Sequence, residues 1–167
     1  GYNLPPVMFS TDEANTLITI EKIIQTNTDG SLIENYQNIV TKIKTILKYS
    51  DKEKVELLSN RIGTTKKTNN QIKSNSLLLI QTAITDQIVI KIEYKSLSKE
   101  QFTERQIEPL GLYFSNENWI VIAWCNLRNE LREFRLDRIL NIKPLNKQFD
   151  SHKFSLSDYF IQASEKI

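Results

Sequence analysis

The chain is poor in the residues that most often carry chemistry. Cys125 is the only cysteine and His152 the only histidine in 167 residues. One cysteine excludes an internal disulfide, and the pair cannot supply the ligand set of a structural zinc site. No metal or other cofactor is therefore expected. Glycine and proline number four each, too few to hide a glycine-rich phosphate loop. No apolar run approaches the roughly 20 residues that span a bilayer, and no signal peptide opens the chain. A reducing, cytoplasmic setting is the simplest expectation. The absence of an initiator methionine suggests a piece of a longer protein.

Charge of one sign is lacking too. Twenty-two lysines and arginines face 20 acids, for a formal net charge of +2. Bulk charge thus predicts no nucleic-acid partner, and any such argument must rest on local placement. What remains is globular: 40% hydrophobic and 25% charged residues, outside the range of disorder. There is no internal repeat and no low-complexity segment.

The first part reads as helices. Ser10 and Glu13 have capping-box spacing, and Ala14, Leu17, Ile18, Glu21 and Ile24 follow the helical rhythm, predicting a helix over 10–27. Asp29-Gly30 marks a turn. Ser31 and Glu34 repeat the cap spacing ahead of a long stripe from Leu32 to Leu47. Ser50 and Glu53 do so again before a third helix over 51–62. The Leu32–Leu47 stripe needs a partner surface. Helix 10–27 or a second copy of the chain could provide it. Residues 63–74 have no periodic apolar pattern and read as a linker. A short helix follows over 75–86.

The period then changes from helical to alternating. Ile88, Ile90, Ile92 and Tyr94 share one face of a strand. A second strand is expected over Gln106–Phe114, with Pro109 and Gly111 marking a bulge or an edge. Trp119–Cys125 is apolar throughout, so it should be the central strand, covered on both faces. Residues 126–129 suit a hairpin turn. Strands over Leu131–Asp137 and Ile139–Leu145 follow, then a helix over 156–165. The expected fold class is α+β, with an N-terminal helical region followed by five short strands in a small barrel or strongly curved sheet. The expected domains are 1–74, 75–150 and 151–167.

Enzyme readings are weak. His152 has no recognisable nucleophile or orienting partner. Cys125 ends the most apolar strand and reads as a buried, inert thiol. The arginines say more. Six are present, and Arg128, Arg132, Arg135 and Arg138 fall within eleven residues. Guanidinium forks suit phosphate or carboxylate and can stack on bases. Strand parity places Arg132, Phe134, Leu136 and Arg138 on one face and Glu133, Arg135 and Asp137 on the other, unless a twist or bulge intervenes. The plainer reading pairs the arginines with Glu130, Glu133 and Asp137 on a solvated surface, at about 0–1 kcal/mol each. Arginine beside exposed aromatics suits single-strand or nucleotide binding. Trp124 reads as core, and Trp119 is open to either role.

Four ordered blocks carry a resemblance. They are Ile92-Glu93-Tyr94, the run Arg105 to Leu112, Trp119 to Cys125, and the run Arg132 to Ile139. Together they resemble the WYL domain of bacterial helix-turn-helix transcription regulators. The opening Gly1 to Ala14 also looks like the segment that follows the winged DNA-binding head in such proteins. The resemblance implies an Sm-like β-barrel that senses an effector, a nucleic-acid fragment or another anion, through arginines and aromatics. By motif position the implied site residues are Tyr94, Arg105, Trp119, Arg132, Arg135 and Arg138. The implied partners are a single-stranded fragment or nucleotide-like anion as effector, duplex DNA through a separate head, and a second subunit. The alternative is a protein–protein interaction or oligomerisation module with no small ligand. Two departures stand out. The Trp-Tyr-Leu signature reads Trp119-Ile120-Val121, so its hydroxyl is missing. The chain also ends 22 residues after Leu145, which suggests that the additional C-terminal domain of many relatives is absent. The helices of the first half would then hold the dimer.

Overall fold

A computed structural model describes residues 9–27, 29–47, 49–65, 74–96, 101–150 and 152–164. The chain forms two compact units, residues 1–72 and 73–167.

The first unit contains α1 (Thr11–Ile24), α2 (Gly30–Ile46) and α3 (Tyr49–Ser59). The capping box at α1 is complete. Ser10 Oγ accepts from the Glu13 amide, and the Glu13 carboxylate accepts from the Ser10 amide. The second cap differs from expectation. Asp29, not Ser31, caps α2 by accepting from the Leu32 amide at 3.1 Å. A carboxylate two residues earlier is the stronger acceptor at a helix N-terminus, and it also holds the Ser31 hydroxyl. Ser50 lies inside α3 rather than ahead of it. Ala14, Ile18, Val40, Leu47 and Val55 form the core, with Phe9 and Tyr36 packed against it. The Tyr36 hydroxyl donates to the Leu17 carbonyl at 2.9 Å, and Thr11 donates to Asp51 at 3.0 Å, joining the three helices. Only part of the α2 stripe is covered, since Ile39 and Ile46 stay 49% and 55% exposed. The expected linker falls mostly outside the described residues, as does the opening segment up to Met8.

The second unit contains α4 (Ser76–Thr85), then β1 (Ile88–Lys95), β2 (Phe102–Ser115), β3 (Asn118–Cys125), β4 (Glu130–Arg135), a 3-10 turn (Leu136–Arg138), β5 (Ile139–Gln148) and α5 (Leu156–Ser164). All ladders are antiparallel, in the order β4-β3-β2-β1-β5. The β1–β4 meander with β5 added beside β1 puts β2 in the middle. The apolar β3 is therefore interior but not central, a correction to the sequence reading. Val121, Ile122 and Ala123 are nevertheless all buried, so both faces of β3 are covered. The expected irregularity is present, as a register shift between Pro109 and Gly111. Gly111 has a steric reason to lack a side chain, because a Cβ there would meet the Phe154 ring at 2.9 Å.

The strand expected over 131–137 stops at Arg135. Residues 136–138 turn instead, and the reason is topological. β4 and β5 are opposite edges, four strand spacings apart, or about 19 Å in a flat sheet. A three-residue 3-10 turn rises only about 6 Å, so the sheet must curl to bring its edges together. Tyr94 on β1 and Phe134 on β4 accordingly meet edge to face, with ring centroids 5.1 Å apart. Among the described residues no ladder joins β4 to β5. The sheet is thus strongly curled and, among the described residues, not closed into a barrel.

Candidate functional site

The concave face of this sheet is built by register. Ile92 pairs with Arg105, and Ile107 with Cys125. Ala123 pairs with Arg132, and Val121 with Phe134. Counting by twos along each strand, Tyr94, Arg105, Arg132 and Phe134 share one face. A cavity of about 490 Å³ opens there.

Five arginines line it: Arg105 from β2, Arg128 from the β3–β4 turn, Arg132 and Arg135 from β4, and Arg138 from the 3-10 turn. Tyr94, Thr103 and Phe134 add a hydroxyl-bearing and aromatic wall. Of the six residues implied by the sequence, the structure brings five together. Trp119 lies outside the cavity and packs on Phe114, with centroids 5.1 Å apart. Its indole nitrogen is buried without a hydrogen-bond partner among the described residues. Arg128 was legible as one of four clustered arginines, but its role depends on a turn that strand parity does not describe. Ile120, in the place of the signature tyrosine, is part of the cavity wall and pairs with Arg135 across the β3–β4 ladder.

The five guanidinium groups are not equivalent. Arg135 donates to both carboxylate oxygens of Asp137, at 3.0 and 2.7 Å, and to Asn118 at 2.9 Å. Hydrogen bonding to Asp137 holds its charge above the ordinary arginine range, against a smaller opposing effect of burial. Register places it on the face opposite Arg132, and its main-chain amide donates to the Tyr94 hydroxyl at 3.4 Å. Arg132 lies 3.3 Å from Glu130, an exposed pair of small worth. Arg105, Arg128 and Arg138 have no carboxylate partner among the described residues. Glu133, the only acid in the lining among the described residues, accepts from the Tyr159 hydroxyl of α5 at 3.0 Å. The cavity thus holds an excess of unmatched positive charge beside aromatic rings. This arrangement suits an anion with a flat, stackable part.

The opposite face is closed by the C-terminal segment. Tyr113 meets Phe160 edge to face at 5.2 Å, and His152 stacks on Trp124 at 5.6 Å while pairing with Glu108. His152 therefore ties this segment to the sheet, a role its polar sequence setting did not reveal. Among the described residues no group of His, Cys, Asp or Glu could hold a metal ion. No described helix is long and apolar enough to cross a membrane.

Residues 75–144 match the WYL domain. The matched stretch falls within the second unit. Among the proteins similar to this chain is the DNA-binding transcriptional repressor CapW of Stenotrophomonas maltophilia. It is 25% identical over 85 residues, 47% of this chain and 28% of CapW. Protein PafB of Mycobacterium leprae (strain TN) is 24% identical over 140 residues, 83% of this chain and 40% of PafB. A solved structure of proteasome accessory factor B/C (PafBC) of Arthrobacter aurescens aligns with 85% of this chain and 21% of its own, at 24% identity and a TM-score of 0.44. The chain therefore spans less than half the length of each of these proteins.

Proposed function

We propose that this chain is the effector-sensing and dimerising part of a cytoplasmic transcription regulator, and not an enzyme. Residues 75–150 sense, residues 1–74 transmit and hold the dimer, and residues 151–167 brace the sheet. The curled sheet plays the part of the Sm-like barrel. The effector is a nucleic-acid fragment or nucleotide-like anion, gripped by Arg105, Arg128 and Arg138 with help from Arg132, and stacked near Tyr94 and Phe134. Arg135 serves as a braced wall. Trp119 supports the Phe114 side without touching the ligand. Duplex DNA is engaged by a separate head. CapW, named as a DNA-binding repressor, supports the regulatory reading. The observation that carries the ligand is the cavity in which three arginines have no acid partner among the described residues.

The test is a titration with labelled single-stranded oligonucleotides at several salt concentrations. Three phosphate contacts give a log–log salt slope of about −2. Absence of binding at low salt, or affinity unchanged in both Arg105→Ala and Arg138→Ala, sinks the proposal. For the dimer, Ile23, Ile39, Ile46 and Leu57 are each about half exposed or more, offering apolar surface to a second copy. Sedimentation of a monomer at high concentration excludes it for this chain. The alternative, a protein-interaction module without a small ligand, draws on Phe160 and Ile161 of α5, which are 42% and 56% exposed. Pull-down of a partner that is lost in Ile161→Asp, with no anion binding, would favour it.

A further inference from the structure

A second concavity, of about 360 Å³, lies across the free edge of β2 from the arginine cavity, with Lys91, Glu104 and Gln106 on the face opposite Arg105. Arg105 borders both, and the same turn serves both: Arg128 lines the first, Asn126 and Leu127 the second. The notch has a cause in the register. β3 ends at Cys125, opposite Ile107, and Asn126 closes it by donating its amide to the Gln106 carbonyl at 3.1 Å. Beyond that point β2 pairs only with β1, leaving a gap beside the strand.

The two concavities differ in chemistry. In the second, Lys91 is paired with Glu104 at 2.7 Å, which cancels its charge. The side-chain amides of Gln106 and Asn126 have no hydrogen-bond partner among the described residues. Leu127, 62% exposed, offers an apolar edge. Free amides present a donor and an acceptor side by side, the pattern that recognises the edge of a nucleobase, adenine above all.

We propose that this notch is a base-reading subsite, so that the effector is a dinucleotide or longer strand with a phosphate among the arginines and a neighbouring base on Gln106 and Asn126. The proposal rests on the anion-site reading above. A mononucleotide fills the first concavity only, and a dinucleotide fills both.

The test is calorimetric titration of the full chain with adenosine monophosphate and with the 5′-phosphorylated adenine dinucleotide. The dinucleotide binds about tenfold more tightly, the equivalent of one to two net hydrogen bonds. The double variant Gln106→Ala/Asn126→Ala removes that gain and leaves mononucleotide affinity and its salt slope in place. Equal affinity for the two ligands overturns the subsite, as does a gain that survives the double substitution. Absence of binding by either ligand at low salt overturns the anion site itself, and the subsite with it. The exposed variant Leu127→Ala, with a thermal melt of each protein, guards against a folding defect. It should lower dinucleotide affinity alone.

Discussion

The two sides of one sheet treat charge in opposite ways. On the side covered by the C-terminal segment, polar groups pair within the fold: Tyr159 with Glu133, His152 with Glu108. On the concave side, Arg105, Arg128 and Arg138 line the cavity with no acid partner among the described residues. The first side is finished by folding, and the second is finished only by something that arrives. Unmatched charge is costly to gather, so its concentration on one face is a stronger sign of binding than the number of arginines.

The comparison breaks most readily at the unmatched side. Arg105→Ala combined with Arg138→Ala removes two charge-assisted contacts at about 1.5–3 kcal/mol each, so oligonucleotide affinity falls about a hundredfold or more. Thermal stability of the same variant stays level or rises, because two repelling cations are gone. Arg135→Ala shows the reverse pattern, with stability falling more than affinity. On the finished side, Gly111→Ala drives a methyl into the Phe154 ring and costs about 1–3 kcal/mol in a denaturant melt. A smaller effect joins the two sides. Glu133→Gln discharges the one acid of the lining among the described residues, so anion affinity rises several-fold at low salt and less at high salt.

The smallest effect is a pH dependence. Burial, then the hydrogen bond to Glu133, raises the Tyr159 hydroxyl to about 12, above its ordinary value near 10. A raised group stabilises the fold fully below the unfolded value and loses that contribution as pH climbs through the folded one. Docking of α5 is thus constant below about pH 10 and weakens from there to about 12. Near-ultraviolet spectra of Tyr159→Phe should lose that transition.

How much of this was legible follows from the range of the interactions. The α1 cap could be read because Ser10 and Glu13 are three residues apart. The α2 cap was misread because two acceptors, Asp29 and Ser31, competed within one turn. The bulge at Pro109 and Gly111 was legible from residue type, although the packing of Phe154 on Gly111 was not, since it joins residues 43 apart. Arginine clustering pointed to the cavity. Which guanidiniums were free depended on Asn118 reaching Arg135 across two strands, and parity alone could not follow the chain through a 3-10 turn. Trp119 was drawn into the site by its motif, and the structure sets it against Phe114 instead.

The three residues bridging the rims of the sheet leave the chain no slack at that joint. Arg138 is the last of them. If a ligand draws Arg138 inward, β4 and β5 must follow together, since neither can shift without the other. An event at a single side chain would then be felt along both borders at once, as a drawstring gathers both lips of a purse.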